Sequence, residues 1–442
     1  MSQISITSKY DYSRKSLLNP FYVIFIISFF FSGASAFGWN WGLRLQNVSA
    51  ITHAGASDLT DMQSNRAVFS LSTPMGNQAS FRSSLSVSYL NTFNLPNIPP
   101  TLPNPYLTLD VLQFSFQGFI PVDKLGVFDW TLGRVSQEDL TGWVFNALVD
   151  GAELGWRQGS MHVALKGFYT GLVEAQDSQI MLSTNDYLDQ LNYYSLGGPL
   201  LFQSGPQRVL GIFDYDIAQF FERQNLSLEV IGQYDTRTLN PVQTSYFSLE
   251  LSGPIEPFSY RAYSTANLLS GPQGNSWSLM SGFHIAWNFT DPQWELFTEG
   301  LYTKGLTSGV GDGFVPITLL GPSSVLTSLS LWNIAEGALG VTLHPLFRFT
   351  GGAKISSLFQ TGNSSQNSSN ASRNGNYQPY VSYLDPANTQ PYLGSQAELF
   401  ASWTPTSEWS FSLTLAGFLP SHTAFLDTNI IWLSALSASL KF

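Results

Sequence analysis

The chain has 442 residues and a formal net charge of −11. Only 11% of residues are charged, 14% are aromatic and 43% are hydrophobic, whereas soluble globular domains carry about 25% charged residues. A helical membrane protein would be more apolar and a disordered chain poorer in aromatics, so the composition fits a wall of strands that is apolar on one side and polar on the other.

There is no cysteine. Disulfides, thiolate metal sites, cysteine nucleophiles and a lipoprotein anchor are therefore excluded. The acidic balance argues against a nucleic-acid partner, which calls for a basic face.

The N-terminus reads as an export leader. Lys9, Arg14 and Lys15 precede an apolar stretch from Leu17 to Phe31, and Ser32-Gly33-Ala34-Ser35-Ala36 follows it. A positive segment, a short apolar segment and an Ala-x-Ala site form the pattern of a signal peptide. The stretch is shorter than the roughly 20 residues of a spanning helix. The expected leader is 1–36, cleaved after Ala36, with one domain over 37–442. No later segment is long and apolar enough for a membrane helix.

The rest of the chain alternates. Trp41 to Ala50, Arg66 to Ser72 and Phe81 to Tyr89 come first, then Leu109 to Ile120, Leu125 to Val135, Ala147 to Gln158 and Met161 to Thr170. Val209 to Ala218, Leu226 to Asp235, Tyr246 to Ser252, Ser259 to Leu268, Trp277 to Asn288 and Trp294 to Thr303 continue the series. Trp332 to His344, Leu346 to Phe359, Ala397 to Trp403, Trp409 to Leu415 and Asn429 to Phe442 complete it. Leu226, Leu228, Val230 and Tyr234, for example, alternate with Ser227, Glu229, Gln233 and Asp235. Apolar residues at every second position mark strands with one apolar face, since a helix would space them three and four apart.

Aromatic residues gather at strand ends: Tyr89, Trp130, Trp156, Tyr169, Tyr234, Trp277, Trp287, Trp294, Tyr302, Trp403 and Trp409. Such girdles belong to membrane–water interfaces. The expected fold is therefore all-β: a single transmembrane antiparallel β-barrel of 16 or 18 strands, since single-chain barrels of this kind take an even number.

In the final strand Ile430, Trp432, Leu436, Ala438, Leu440 and Phe442 share one face, and Phe442 is terminal. Leu436, Ala438, Leu440 and Phe442 resemble the assembly signal of Gram-negative outer-membrane β-barrels of the porin class. That resemblance implies a cell outer-membrane location, contact with membrane lipid and lipopolysaccharide, and recognition by the barrel-assembly machinery. More locally, Leu132-Gly133-Arg134 and Asp150-Gly151-Ala152-Glu153-Leu154 are similar to a strand pair of alginate-export-type porins, although Val135 stands where that family usually has Gln. The likeness implies a lumenal role for Arg134 and Asp150. Both residues lie off the parity of their neighbours, which also fits a structural pair beside a bulge.

Charges on the polar parity give an expected pore lining. Arg44, Arg66, Arg82, Arg157 and Lys166 fall early; Glu229, Asp235, Glu250, Glu295, Glu299, Glu336 and Glu398 fall later, with Arg261, Arg348 and Lys354 among them. A closed barrel would set one basic wall against a mainly acidic one, a transverse field that favours polar solutes. The two signs nearly balance, so no ion selectivity follows. Four interruptions read as external loops: Asn91 to Pro105, Gly171 to Gln207, Gly305 to Ser328 and Thr361 to Asn376. One of the first two is expected to fold inward and narrow the pore. The acids Glu138 and Asp139 read as a solvated turn.

Nothing points to catalysis or to a cofactor. His53, His162, His284, His344 and His422 form no metal-ligand spacing, and no GxSxG, phosphate loop or GxGxxG occurs. The expected function is passive diffusion of small polar or charged solutes through a water-filled lumen. A transporter of hydrophobic solutes, with fewer strands and an N-terminal hatch, and a plugged surface or adhesin barrel are the alternatives.

Overall fold

The computed structural model describes residues 39–54, 58–94, 106–172, 205–238, 240–271, 274–290, 293–305, 313–318, 333–362, 390–422 and 430–442, together with Ile180, Leu182, Ser183 and Asp186. The expected leader lies outside these residues, as do most of the segments after Asn94 and Gln360.

A strand forms at each of the eighteen places where the sequence alternates. In chain order they are β1 (Asn40–Ala54), β2 (Asp58–Pro74), β3 (Ala79–Asn94), β4 (Tyr106–Val122), β5 (Gly126–Glu138) and β6 (Asn146–Gln158). Next come β7 (Met161–Tyr169), β8 (Arg208–Phe221), β9 (Gln224–Asp235), β10 (Gln243–Ile255), β11 (Phe258–Gly271) and β12 (Gly274–Thr290). The last six are β13 (Gln293–Thr303), β14 (Ile334–Leu346), β15 (Phe349–Gln360), β16 (Tyr392–Trp403), β17 (Trp409–Pro420) and β18 (Ile431–Lys441). β3 runs on to Asn94, further than the expected loop start at Asn91. Leu346 ends β14 rather than opening β15, because Phe347 and Arg348 make the turn.

Each strand pairs antiparallel with the next, and β18 pairs back onto β1 from Arg44↔Lys441 to His53↔Trp432. The sheet is thus a closed barrel of 18 strands. Closure leaves no unpaired edge, the condition for a sheet to sit in hydrocarbon where no water can satisfy backbone groups. Phe442 seals the seam: its N–H donates to the Leu43 carbonyl at 2.8 Å, and Leu43 N–H donates back at 3.4 Å.

The alternation now has a direction. On β9, Glu229, Ile231, Gln233 and Asp235 are buried while Leu228, Val230 and Tyr234 are exposed. Around the barrel the exposed parity is apolar, with Leu154, Leu165, Leu339 and Ile355 each more than 60% exposed. All eleven expected girdle aromatics fall on this outward parity, and beside the connection from β12 to β13 Phe289 stacks on Trp294 with centroids 4.1 Å apart. An apolar band bounded by aromatic rings is the outside of a membrane barrel. No helix among the described residues is long and apolar enough to cross a membrane.

The two rims differ. At the rim that holds Phe442, the connections are two to five residues long, as at 159–160, 256–257 and 404–408. At the other rim they include 95–105, 170–207, 304–333 and 361–391. All four expected loops are on that same side.

The buried apolar cluster is inside the barrel, near the long-loop rim. Three segments meet there: 139–145 between β5 and β6, the described part of 170–207, and 313–318. Ile317 and Thr318 N–H both donate to the Val144 carbonyl, Asn146 N–H donates to Thr318 Oγ1, and Ile180 bridges Thr318. Val144, Phe145, Ile180, Leu182, Phe314, Val315 and Ile317 are almost wholly buried against inward-facing Val149, Ile212, Ile231 and Met280.

Candidate functional site: the inner face and its inward segments

The segment 139–145 is held by Asp139. Its carboxylate accepts from the N–H groups of Thr141, Val144 and Phe145 at 2.7–2.9 Å and from Thr141 Oγ1 at 2.5 Å. The expected solvated turn is therefore half wrong: Asp139 is 4% exposed and organises a loop, whereas Glu138 stays exposed. The loop then reaches across the lumen. Leu140 N–H donates to Glu229 Oε1 on β9 at 3.0 Å, and Arg261 Nη2 on β11 donates to the Leu140 carbonyl at 2.8 Å.

The part of 170–207 that enters the barrel is fixed by four charges. Arg208 contacts Asp186 at 2.6 Å and Asp235 at 3.4 Å, and Arg237 contacts the same two carboxylates at 2.6 and 2.7 Å. Asp186 also accepts from the N–H groups of Leu182 and Ser183. Burial opposes ionisation of Asp186, but the charges and hydrogen bonds of Arg208 and Arg237 outweigh it and hold its carboxyl below the usual range. One of the first two expected loops thus does turn inward. The segment 313–318 joins it, which alternation could not show: Tyr246 OH donates to the Val315 carbonyl at 2.7 Å, and its ring meets Phe314 edge-on.

Most of the expected lining residues take inward positions. Arg44, Arg66 and Arg82 occupy β1, β2 and β3, and Lys441 on β18 is the register partner of Arg44. Four consecutive strands thus carry cations inward. On β5 to β9 charges pair across strands: Arg157 with Asp129 at 3.8 Å, Lys166 with Asp214 at 2.7 Å and with Glu153 at 4.0 Å, and His162 with Asp216 at 3.3 Å. Glu229 lies opposite Asp214, and Glu250 pairs with Arg261 at 2.8 Å. Glu295 lies opposite Asn288, while Lys354 contacts Glu299 and, at 3.4 Å, Glu336. Glu398 is the register partner of Lys354.

Arg348 does not belong to this set. It sits in the turn after β14 at positive φ, with Nη1 donating to the Pro405 carbonyl at the short-turn rim. Arg348 keeps the parity of Lys354, but it lies in the turn itself, between the ends of β14 and β15, where alternation no longer sets the direction of a side chain.

Arg134 and Asp150 are also corrected. They are register partners joined at 2.7 Å, but they share the outward parity with Leu132 and Leu154. The irregularity lies on β4, where the register slips beside Val111 and Arg134 Nε donates to the Val111 carbonyl at 2.6 Å. The pair braces a bulged part of the wall and does not face the lumen.

The sequence reading missed Asp110, Asp129, Glu153, Asp214 and Asp216 as inward acids, and Arg208 and Lys441 as inward bases. The signal was present for β8, where Asp214 and Asp216 alternate with Phe213, Tyr215 and Ile217. These residues turn the expected balance of charge into an acidic surplus.

No family model matches the chain, and no curated protein matches it in sequence. Solved structures do resemble it. Pseudomonas aeruginosa OccK5 (OpdH) aligns with a TM-score of 0.56 at 8% identity, over 91% of this chain and 98% of that one. P. aeruginosa OccD3 (OpdP) gives 0.54 at 10% identity, over 92% and 91%, and Acinetobacter baumannii OccAB4 gives 0.54 at 9% identity, over 91% and 98%. The alginate-export likeness finds no support among these structures. At such identities the likeness concerns the fold, and nearly the whole chain shares one barrel architecture with these bacterial proteins.

Proposed function

We propose that the chain is a porin-like channel of the cell outer membrane, through which small polar or charged solutes diffuse passively. The observation that carries this reading is the division of the barrel wall: an apolar band with aromatic rims outside, and a charged, hydrogen-bonding face inside. Hydrocarbon stabilises the first surface, and water and solutes are the natural company of the second. Residues 1–36 would serve as the export leader and 37–442 as the transported domain. Leu436, Ala438, Leu440 and Phe442 would be the feature read by the barrel-assembly machinery, with lipid and lipopolysaccharide around the finished barrel.

The inward residues Arg44, Arg82, Arg157, Lys166, Glu229, Glu250, Glu295, Glu299 and Glu336 are the proposed pore lining. The segments 139–145 and 313–318 and the residues around Asp186 narrow the lumen near the long-loop rim. The decisive experiment is reconstitution in planar bilayers. A steady single-channel conductance is expected; a folded barrel that stays silent would overturn the channel and favour a barrel plugged by these inward segments.

A further inference from the structure

The outer face of the barrel is not apolar throughout. On β1 the outward row runs Trp41, Leu43, Leu45, then Asn47 and Ser49, then Ile51; on β2 the register partners of Asn47 and Ser49 are Asn65 and Gln63. Asn47 stands six residues above Trp41, and Trp432 of β18 lies opposite His53, six residues further on. Six residues of a strand tilted by about 40° climb about 15 Å, so these polar positions fall inside an apolar band about 25 Å tall and not at its rims. Ile51, beyond them, is apolar again and 40% exposed.

Asn47 Nδ2 donates to Asn65 Oδ1 at 2.8 Å, and Ser49 Oγ lies 3.5 Å from Asn47 Oδ1. The second Asn47 N–H, the Asn65 NH2 group and the Gln63 amide meet no partner among the described residues, and Asn65 and Gln63 are exposed. Elsewhere on the outer face hydroxyls satisfy one another within the wall, as Ser264 does with Ser281 and Ser357 with Ser395, both at 2.9 Å. Hydrocarbon offers an amide no hydrogen bond, and a polar group left unsatisfied there is costly. Beside the asparagine pair the wall is also hollow. A depression of about 470 Å³ lies between Trp409 and Tyr89, where Ala67 and Ala438 are small.

We propose that this face, from β17 across the seam to β3, is the interface with a second copy of the chain, the amides of Asn47, Asn65 and Gln63 bonding across it. Lipid does not fit the role: its headgroups lie at the rims, and its chains neither donate nor accept. An amide does both, so a patch of amides is self-complementary. Two upright copies in one membrane are related by an axis along its normal, and a two-fold interface presents the same patch from each side. Asn47 and Asn65 are neighbours on adjacent strands, so an axis between β1 and β2 brings Asn65 of one copy to Asn47 of the other. The hollow leaves room for facing side chains, and Leu45, Val87 and Leu440 supply apolar contact around the amides. The interface goes beyond the channel reading: it rests on this face being turned to the bilayer and not on an open pore.

The chain has no cysteine, so single-cysteine variants report one position each. Ser49→Cys marks the patch, and Leu249→Cys marks an outward position on β10, on the far side of the ring. Both are treated with a short bismaleimide in outer membranes that hold the full barrel. A cross-linked product of two copies is expected from Ser49→Cys and none from Leu249→Cys. Replacing both asparagines, Asn47→Leu with Asn65→Leu, makes the face wholly lipid-compatible and should lower the Ser49→Cys product by about tenfold. Light scattering in mild detergent should give two copies for the wild type and one for the double variant. Heat-modifiable migration on gels confirms that each variant is folded. A single-copy wild type, equal products from the two cysteines, or an undiminished product in the folded double variant would overturn the interface. Asparagine-dependent pairing of a barrel that carries no current would count against the channel and keep the interface.

Discussion

Asp186 shows how a single carboxylate can set the shape of the lumen. It is wholly buried, and an isolated buried carboxylate would be strongly disfavoured. Two guanidinium groups and the N–H groups of Leu182 and Ser183 make the site favourable, so a segment of a long loop is tied to β8 and to the start of the next loop. Removing one partner of such a network leaves the other charges uncompensated, at a cost of about 3–5 kcal/mol. Asp186→Asn should therefore release the segment and raise open-channel current noise at neutral pH. The wild-type protein should behave likewise only in acid. The folded pKa of Asp186 is lowered, so its contribution is complete above the ordinary carboxylate value of about 3.9 and is lost as the pH falls through the folded value. Recordings should accordingly be steady from about pH 5 upward and turn noisy below about pH 4. Noise that begins near neutrality in the wild type would contradict this account.

Among the elements, β18 and the segment 313–318 have opposite tasks. β18 closes the barrel, pairing with β17 on one side and β1 on the other. Because Phe442 exchanges backbone hydrogen bonds with Leu43, its deletion removes the last link of the seam as well as the terminal aromatic. Deletion should sharply lower the amount of heat-modifiable barrel recovered from outer membranes; full recovery would show that neither contribution is needed. The segment 313–318 narrows rather than closes. Ile317 is wholly buried between 139–145 and the wall. Ile317→Ala should cost about 2–5 kcal/mol, the range for truncating a buried Ile, and that cost falls on the loop contacts and not on the barrel ladder. The expected result is larger or less uniform conductance with an unchanged unfolding temperature of the barrel.

Over the whole molecule the decisive quantity is the sign of the inner surface. Cations occupy the inner face of β18, β1, β2 and β3, while acids extend from β8 to β16 and outnumber the bases overall. A water-filled passage with this lining should pass cations better than anions. A reversal potential measured across a KCl gradient should favour potassium, and the preference should shrink at molar salt, where the screening length falls to about 3 Å. A preference for chloride would show that the basic strip, and not the acidic wall, faces the narrowest point.

The places of the strands, their outward faces and the segments that form long loops were legible in the sequence, while the count stayed at 16 or 18 until the ring was seen to close. Period-two alternation is a local property, and in a barrel a local property repeated around a ring becomes the fold. The inward positions of charged residues were legible to the same degree; the reading failed where a residue lay in a turn, at Arg348, or where a bulge lay beside it, at Arg134 and Asp150. What the chain order could not reveal is the interior. Asp139, Asp186 and Ile317 lie far apart in sequence, and the contacts among their segments join loops that belong to different hairpins. Apolar residues at inward positions such as Val149, Ile231 and Met280 look like faults in an alternating pattern until the loops that cover them are in place. The sequence by itself determined the wall, because each strand needs only its own alternation and its next neighbour; tertiary structure alone decided which groups meet inside, because those meetings depend on closure of the ring.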